Sequence, residues 1–350
     1  MDTLTLLAIL AVVIVLLFDY TNGFHDAANI IATVIASRAM QPMQAVLVVG
    51  LFEFLGPLLG GTAVANTIGK FIDLSDVAAV MSLTILVSGL TGAILWNLIT
   101  WAKGIPSSSS HALVGGLIGA VLMAVDASHV AWGFEALLRH GELTGVTKVL
   151  LALILSPILG FWVGFAIHRF FSMLFRAASP RINRPLRWSQ YVTAAGLAFS
   201  HGANDAQKSM GILTLVLLLG GFIPEFKVPF WVMLACAIAL TLGILSGGWR
   251  IVRTLGFAIY KVRPLHALNS QLTSASVILS ASLVGAPVST THIVASSILG
   301  IGASERPRAV RWSKAFEIVS TWVITIPASA FMGALVFALV QAIVLRVQAS

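Results

Sequence analysis

The sequence predicts an all-α polytopic membrane protein made of two inverted repeats, and three observations lead there. First, 58% of the 350 residues are hydrophobic and only 10% are charged, whereas soluble domains carry about 25% charged residues. Such a chain cannot cover a water-facing surface. Second, apolar runs at 4–17, 45–51, 78–95, 149–167, 230–245 and 319–344 reach or approach the ~20 residues that cross a hydrocarbon core. Third, two unlike polar motifs occur in one half of the chain and recur in the same order in the other.

Taking the elements in order, Met1-Asp2 precedes the first apolar run with no Lys or Arg, and no small-x-small site follows it. A retained first span is expected rather than a secretory signal. Next comes Asn22-Gly23-Phe24-His25-Asp26-Ala27-Ala28-Asn29, and about eighty residues later Pro106-Ser107-Ser108-Ser109-Ser110-His111. The second half reads His201-Gly202-Ala203-Asn204-Asp205-Ala206-Gln207-Lys208, followed at nearly the same separation by Pro287-Val288-Ser289-Thr290-Thr291-His292. Duplication accounts for the pairing. Weaker echoes accompany it: Gly60-Gly61 with Thr67-Ile68-Gly69 against Gly247-Gly248 with Thr254-Leu255-Gly256, and Pro157, Phe161 and Gly164 against Pro327, Phe331 and Ala334.

Between the copies lie Arg169, Arg176, Arg181, Arg184 and Arg187, with Pro180 and Pro185 expected to break any helix. The chain therefore divides into a first repeat at 1–168, a basic linker at 169–188 and a second repeat at 189–350. The positive-inside rule places the linker in the cytoplasm, together with basic clusters at 250–263 and 306–314. Asp73, Asp76 and the turn at Glu225 lack such clusters and are placed outside. About five spans per half, an odd number, would invert the second repeat and give roughly ten spans with broken or re-entrant half-helices meeting at the midplane. The N-terminus is then outside. The net charge of +8 is thus a matter of membrane topology, and no nucleic acid is expected. Cys236 stands alone in an apolar segment, which excludes an intrachain disulfide and suits a buried apolar role.

A carboxylate at a bilayer centre costs ~2.5–3.5 kcal/mol even on the lenient insertion scale. Asp26 and Asp205 each follow a glycine and are read as standing at the start of an apolar helix-forming run. Capping a half-helix would account for one such acid; a pair in both repeats calls for a function. Asn29, three residues after Asp26, shares its helix face, and carboxylate plus amide oxygen suits a hard monovalent cation or a proton relay. Lys208 occupies the matching place. Its ammonium can deliver the charge that a bound cation would supply in the other copy, the plainer reading being a lysine that snorkels to the interface. Membrane-embedded Glu53 is a further candidate for proton coupling, whereas Glu317 is expected to pair with Lys314.

The second motif puts a proline and a row of hydroxyls where a helix begins. Proline favours the first turn, and free amides, dipole and hydroxyls then form a cradle for a tetrahedral oxyanion. Ser107, Ser108, Ser109 and Ser110 in one half, with Ser289, Thr290 and Thr291 in the other, are the expected anion ligands, supplemented by Asn29 and Asn204. The plainer alternative is close helix packing by small polar residues. His25, His111 and His292 are assigned to anion contact or proton handling. No Cys-rich or His-x-x-x-His spacing exists, so no fixed metal site and no cofactor are expected. Ser110 and His111 are helix neighbours about 100° apart, a poor nucleophile–base pair, so the chain is not read as an enzyme.

These paired motifs resemble the inorganic phosphate transporter (PiT) family over essentially the full chain. The family's Gly-x-Asn-Asp element is present as Gly202-Ala203-Asn204-Asp205, and Gly23-Phe24-His25-Asp26-Ala27-Ala28-Asn29 with Ala32-Thr33-Val34-Ile35 looks like the bacterial low-affinity Pit branch. The Pro–Ser/Thr–His elements fit the family's phosphate-binding hairpins. The resemblance implies phosphate symport in a bacterial inner membrane, driven by H+ in the bacterial branch and by Na+ in others, with some members carrying a neutral metal–phosphate complex. Sodium-coupled relatives tend to carry Asn where this chain has Lys208, which weakens the sodium reading for the second half while Asp26 and Asn29 leave one cation site open; the coupling cation expected at Asp26 and Asp205 is H+. Expected partners are inorganic phosphate, H+ (Na+ or a co-transported divalent metal being the alternatives), the bilayer and a second copy in a homodimer. A sulfate permease of the same fold is the main rival; an anion channel would not need paired carboxylates.

Overall fold

The polar signatures do not interrupt their helices. The computed structural model describes residues 2–247, 251–252 and 254–349, with side chains for all but 255, 258 and 345–349. Helix α1 runs unbroken over Thr3–Ala36, its first turn capped by Asp2, whose Oδ1 accepts from the Thr5 amide at 3.3 Å. It is followed by α2 (Pro42–Leu59), the short α3 (Ala63–Ile68), α4 (Ala79–Ala102), α5 (Ser109–Ala124), the short α6 (Phe134–His140) and α7 (Gly145–Leu174). The second half comprises α8 (Asn183–Leu219), α9 (Phe230–Ser246), a π-helical turn at Thr254–Ala258, α10 (Pro264–Leu283), α11 (Thr290–Glu305) and α12 (Trp312–Ala349). An isolated bridge between Ile72 and Val130 is the extended pairing among the described residues.

Asp26 and Asp205 therefore sit well inside α1 and α8, not at helix starts as their glycines imply. A continuous helix keeps every backbone group of the signature bonded within the segment, which a bilayer interior demands. The small residues Gly23 and Gly202 have a different use. A Cβ on Gly23 would lie 2.2 Å from the Leu240 carbonyl oxygen, and one on Gly202 would lie 2.5 Å from that of Glu53. They let α9 approach α1, and α2 approach α8, backbone to backbone.

Five helices are long and apolar enough to cross a membrane: α1, α2, α4, α7 and α12 up to Val344. Helix α8 is longer than most of them but is diluted by its basic start and buried polar signature. Within 169–188, α7 continues to Leu174 and α8 begins at Asn183, leaving a short connection. Pro185 is tolerated in the first turn of α8, where its missing N–H has no intrahelical partner to lose. Gly248 of the second-half echo, and Arg250 and Arg253 of the basic cluster at 250–263, lie outside the described residues.

The half-helices α5 and α11 are 16 residues each. Each is clasped by the closing helix of the opposite half, α5 by α12 and α11 by α7. Here too the contacts are backbone to backbone: a Cβ on Gly119 would lie 2.0 Å from the Ala330 oxygen, and one on Gly300 would lie 2.0 Å from that of Phe161. Gly300→Val is accordingly expected to destabilise the protein by about 1–3 kcal/mol through overpacking. A thermal melt in detergent checks this, and a midpoint equal to that of Gly196→Ala, where a Cβ meets nothing within 4 Å, would contradict the close approach.

Candidate functional site

The two serine/threonine clusters open the half-helices that the sequence points to. Ser108 caps α5, its Oγ accepting from the His111 amide at 3.2 Å, and Ser289 caps α11 by the same bond from the His292 amide at 3.3 Å. The next hydroxyls, Ser109–Ser110 and Thr290–Thr291, thereby project from the positive helix ends toward the middles of α1 and α8. Residues three and four apart on α1 and α8 share a face. Asn22, Asp26 and Asn29 form that face on α1, and His201, Asp205 and Lys208 form it on α8.

The four elements meet in one buried centre. The Thr290 hydroxyl bridges the aspartates, 3.4 Å from Asp26 Oδ2 and 3.3 Å from Asp205 Oδ2. Ser109 Oγ stands 3.1 Å from Asp26 Oδ2 and bonds Asn22 Oδ1 as well. Thr291 Oγ1 lies 3.2 Å from Asp26 Oδ1 and accepts from Asn29 Nδ2 at 2.8 Å. The counterpart of that last bond crosses in the other direction: Lys208 Nζ donates to Ser110 Oγ at 2.6 Å, to the Val288 carbonyl at 2.9 Å, and to Asp205 Oδ1. Asn29 with Thr291 and Lys208 with Ser110 are thus matched pairs joining opposite halves.

His201 forms the hub of the cluster. Its Nδ1 is 2.6 Å from Glu53 Oε1, and its Nε2 lies 3.4 Å from Asp205 Oδ2 and 3.8 Å from Asp26 Oδ2. Glu53, reached from α2, is fully buried. Three carboxylates consequently surround one imidazole, with Lys208 as the nearby ammonium. In a low-dielectric interior this collection calls for neutralisation by protons or bound cations. The nearest ligand atoms of Asp26, His201 and Asp205 all lie within 4.8 Å of one another, a spacing that could hold an ion. These residues come from two helices, so ligand spacing along the sequence could not show the grouping.

The other expected residues fall into two groups. His25 belongs to the centre, with Nδ1 at 2.8 Å from Asp26 Oδ1 and Nε2 at 3.2 Å from Ser107 Oγ, and Thr100 completes the set at 2.8 Å from Ser107 Oγ. His111 and His292 face each other across the half-helix starts with ring centroids 4.5 Å apart. His292 also stacks on Trp322 at 3.8 Å, and neither of its ring nitrogens has a hydrogen-bond partner. Asn204 is turned away, donating to Ser282 Oγ at 2.9 Å and the Ala286 carbonyl at 3.2 Å. As the immediate neighbour of Asp205, it points about 100° around the helix from it.

Sequence reasoning passed over Asp19. It lies on α1 two turns before Asp26, is fully buried, and neither carboxylate oxygen has a hydrogen-bond partner. The signal was available, since an acid seven residues before another shares its helix face. Outside the centre, Lys314 pairs with Glu317 as expected, at 2.5 Å, and Cys236 is buried in α9.

Long apolar helices enclosing a dense polar core, entered by two half-helix ends, define a membrane transporter. The model of the Phosphate transporter family matches residues 22–333. A "probable low-affinity inorganic phosphate transporter" of Bacillus subtilis is 42% identical over 96% of this chain and 98% of its own length. One of the same description from Rhizobium meliloti is 40% identical over 93% and 94%. A solved structure described as "the sodium-dependent phosphate transporter" superposes with a TM-score of 0.86 at 24% identity, covering 96% of this chain and 99% of that one. The chain belongs to the Phosphate transporter family, whose members are transporters and not enzymes.

Proposed function

We propose that the chain imports inorganic phosphate as a secondary active symporter driven by a proton gradient. The observation that carries this reading is a competition for donors. The hydroxyls of Ser109, Thr290 and Thr291, which suit a phosphate, are engaged by Asp26 and Asp205. A protonated carboxyl accepts these bonds far more weakly than a carboxylate. Proton uptake at the aspartates would therefore release the hydroxyls to the anion and remove the charge that repels it. Each ligand assists the other, which is coupling in the thermodynamic sense.

In this reading Ser107, Ser108, Ser109, Ser110, Ser289, Thr290 and Thr291 form the anion cradle. Asp26, Asp205, Glu53 and His201 hold the coupling protons, and Lys208 supplies a fixed positive charge. The same order of elements in the two halves supports inverted repeats at 1–168 and 189–350, with the linker at 169–188 in the cytoplasm of a bacterium and the N-terminus outside. A sodium-coupled version draws support from the Asp26–His201–Asp205 grouping and from what the similar solved protein is described as. Lys208 speaks against it, because an ammonium already stands at one of the two mirrored places.

Purified protein in proteoliposomes, with pH and sodium gradients imposed separately, is expected to accumulate phosphate on an inward proton gradient in sodium-free medium. Accumulation that follows the sodium gradient and ignores pH would overturn proton coupling. Unlabelled sulfate is expected to compete weakly, and equal competition would transfer the assignment to a broader oxyanion permease. Accumulation only with a divalent metal present would make the metal complex the substrate.

A further inference from the structure

We propose that the linker end of α8 is a binding site for one anionic phospholipid, its phosphate held by arginines and an acyl chain laid along a groove on the same helix. A cavity of about 690 Å³ is lined by Arg38, Arg181, Arg184, Arg187, Trp188 and Tyr191. The Arg and Lys ion pairs among the described residues are Arg139–Glu135, Lys208–Asp205, Arg263–Glu305 and Lys314–Glu317; the four arginines of the cavity belong to none of them. Guanidinium groups match a phosphodiester bidentately. A general excess of basic residues inside would scatter them over the loops, whereas these converge from α8, its preceding turn and the α1–α2 connection.

Arg38, at φ 57°, is the left-handed residue that closes α1, its amide bonded to the Ile35 carbonyl and the Ala39 amide to that of Val34, the ordinary end of a helix. The observation that points to a ligand is the continuation of the cavity at Tyr191 into an apolar groove of about 680 Å³, formed by Val192, Gly196 and Phe199 of α8 with Phe52 of α2 and Leu279 of α10. Arg184, Trp188, Tyr191, Ala195 and Phe199 recur at three- and four-residue steps along one face of α8. That stripe is about 22 Å long at 1.5 Å per residue, the depth of one leaflet with its headgroup layer. Trp188 and Tyr191, stacked with centroids 5.5 Å apart, sit where the polar cavity gives way to the groove, the place aromatic residues occupy at a membrane–water interface. Basic above, aromatic at the junction and apolar below is the profile of a phospholipid.

Native mass spectrometry of the purified transporter with phosphatidylglycerol or phosphatidylcholine tests this. Phosphatidylglycerol is expected to be retained at least tenfold better. Arg38→Gly/Arg187→Gln is expected to abolish the preference, and glycine at 38 also relieves the backbone, so folding is not put at risk. Gly196→Leu, which fills the groove where a Cβ meets no protein atom within 4 Å, is expected to lower retention of phosphatidylglycerol by about tenfold with the arginines intact. Equal retention of the two lipids by the unaltered protein would overturn the proposal. So would loss in the arginine variant alone, accompanied by protection from thermal unfolding by pyrophosphate, which would make this a soluble-anion site. A shifted monomer–dimer ratio in Gly196→Leu with unchanged lipid retention would identify the groove as a seam between copies and equally overturn it.

Discussion

Asp205→Asn is expected to reduce phosphate accumulation in proteoliposomes by about 100-fold or more per inserted molecule, a larger loss than any fall in protein level. Asparagine keeps the size of the side chain but cannot take up a proton, so the step that the gradient would drive is gone. The substitution also strips Lys208 of its counter-ion. A buried charge left alone is worth about 3 kcal/mol or more, which is about a hundredfold in an equilibrium. A second measurement separates coupling from binding. The amide accepts more weakly than a carboxylate and frees the Thr290 hydroxyl, so phosphate–phosphate exchange across the membrane should persist when accumulation has disappeared. Asp26→Asn should behave alike, with loss of the bonds from Ser109 and Thr291 in addition. Normal accumulation by either variant would remove that aspartate from the coupling machinery.

Much of this centre was legible because the sequence writes each motif twice. Helix-start chemistry is local: a proline, a cap hydroxyl and two further hydroxyls specify the Ser108 and Ser289 caps within five residues. The face shared by Asp26 and Asn29, or by Asp205 and Lys208, follows from helical periodicity alone. What the sequence could not convey is contact between helices. His201 acquires its place as hub only because α2 delivers Glu53 to one ring nitrogen while α1 and α8 deliver aspartates to the other. Asn204 turns toward Ser282 and the Ala286 carbonyl because a helix displays neighbouring residues on different sides, whereas a motif is read along the chain. The glycines misled in the same way: they read as helix breaks but permit the approach of α9 and α2. Asp19 escaped notice because it has no partner in the second copy. It is fully buried on α1, two turns before Asp26.

Lys208→Asn is expected to lower sodium-free phosphate uptake by about 100-fold and to make the remainder sodium-dependent, with sodium restoring at least tenfold. The expectation comes from comparing the two matched pairs. At one, Asn29 donates to Thr291 and leaves its own oxygen Oδ1 without a partner; at the other, Lys208 donates to Ser110 and neutralises Asp205. Removing the ammonium takes from buried Asp205 its closest cationic partner, leaving His201 Nε2 at 3.4 Å and the Thr290 hydroxyl at 3.3 Å on Oδ2, and breaking such a pair costs about 3–5 kcal/mol unless something replaces the charge. The introduced amide presents a carbonyl oxygen beside that carboxylate. Together they would make a hard-oxygen pair, carboxylate plus amide oxygen, of the same chemical kind that Asp26 and Asn29 present on α1. Sodium would thus enter where the ammonium stood, and phosphate entry would come to depend on it. Uptake indifferent to sodium in both the unaltered protein and the variant would show that Lys208 does not stand in for a cation, and would reduce it to a structural anchor between Asp205 and α5.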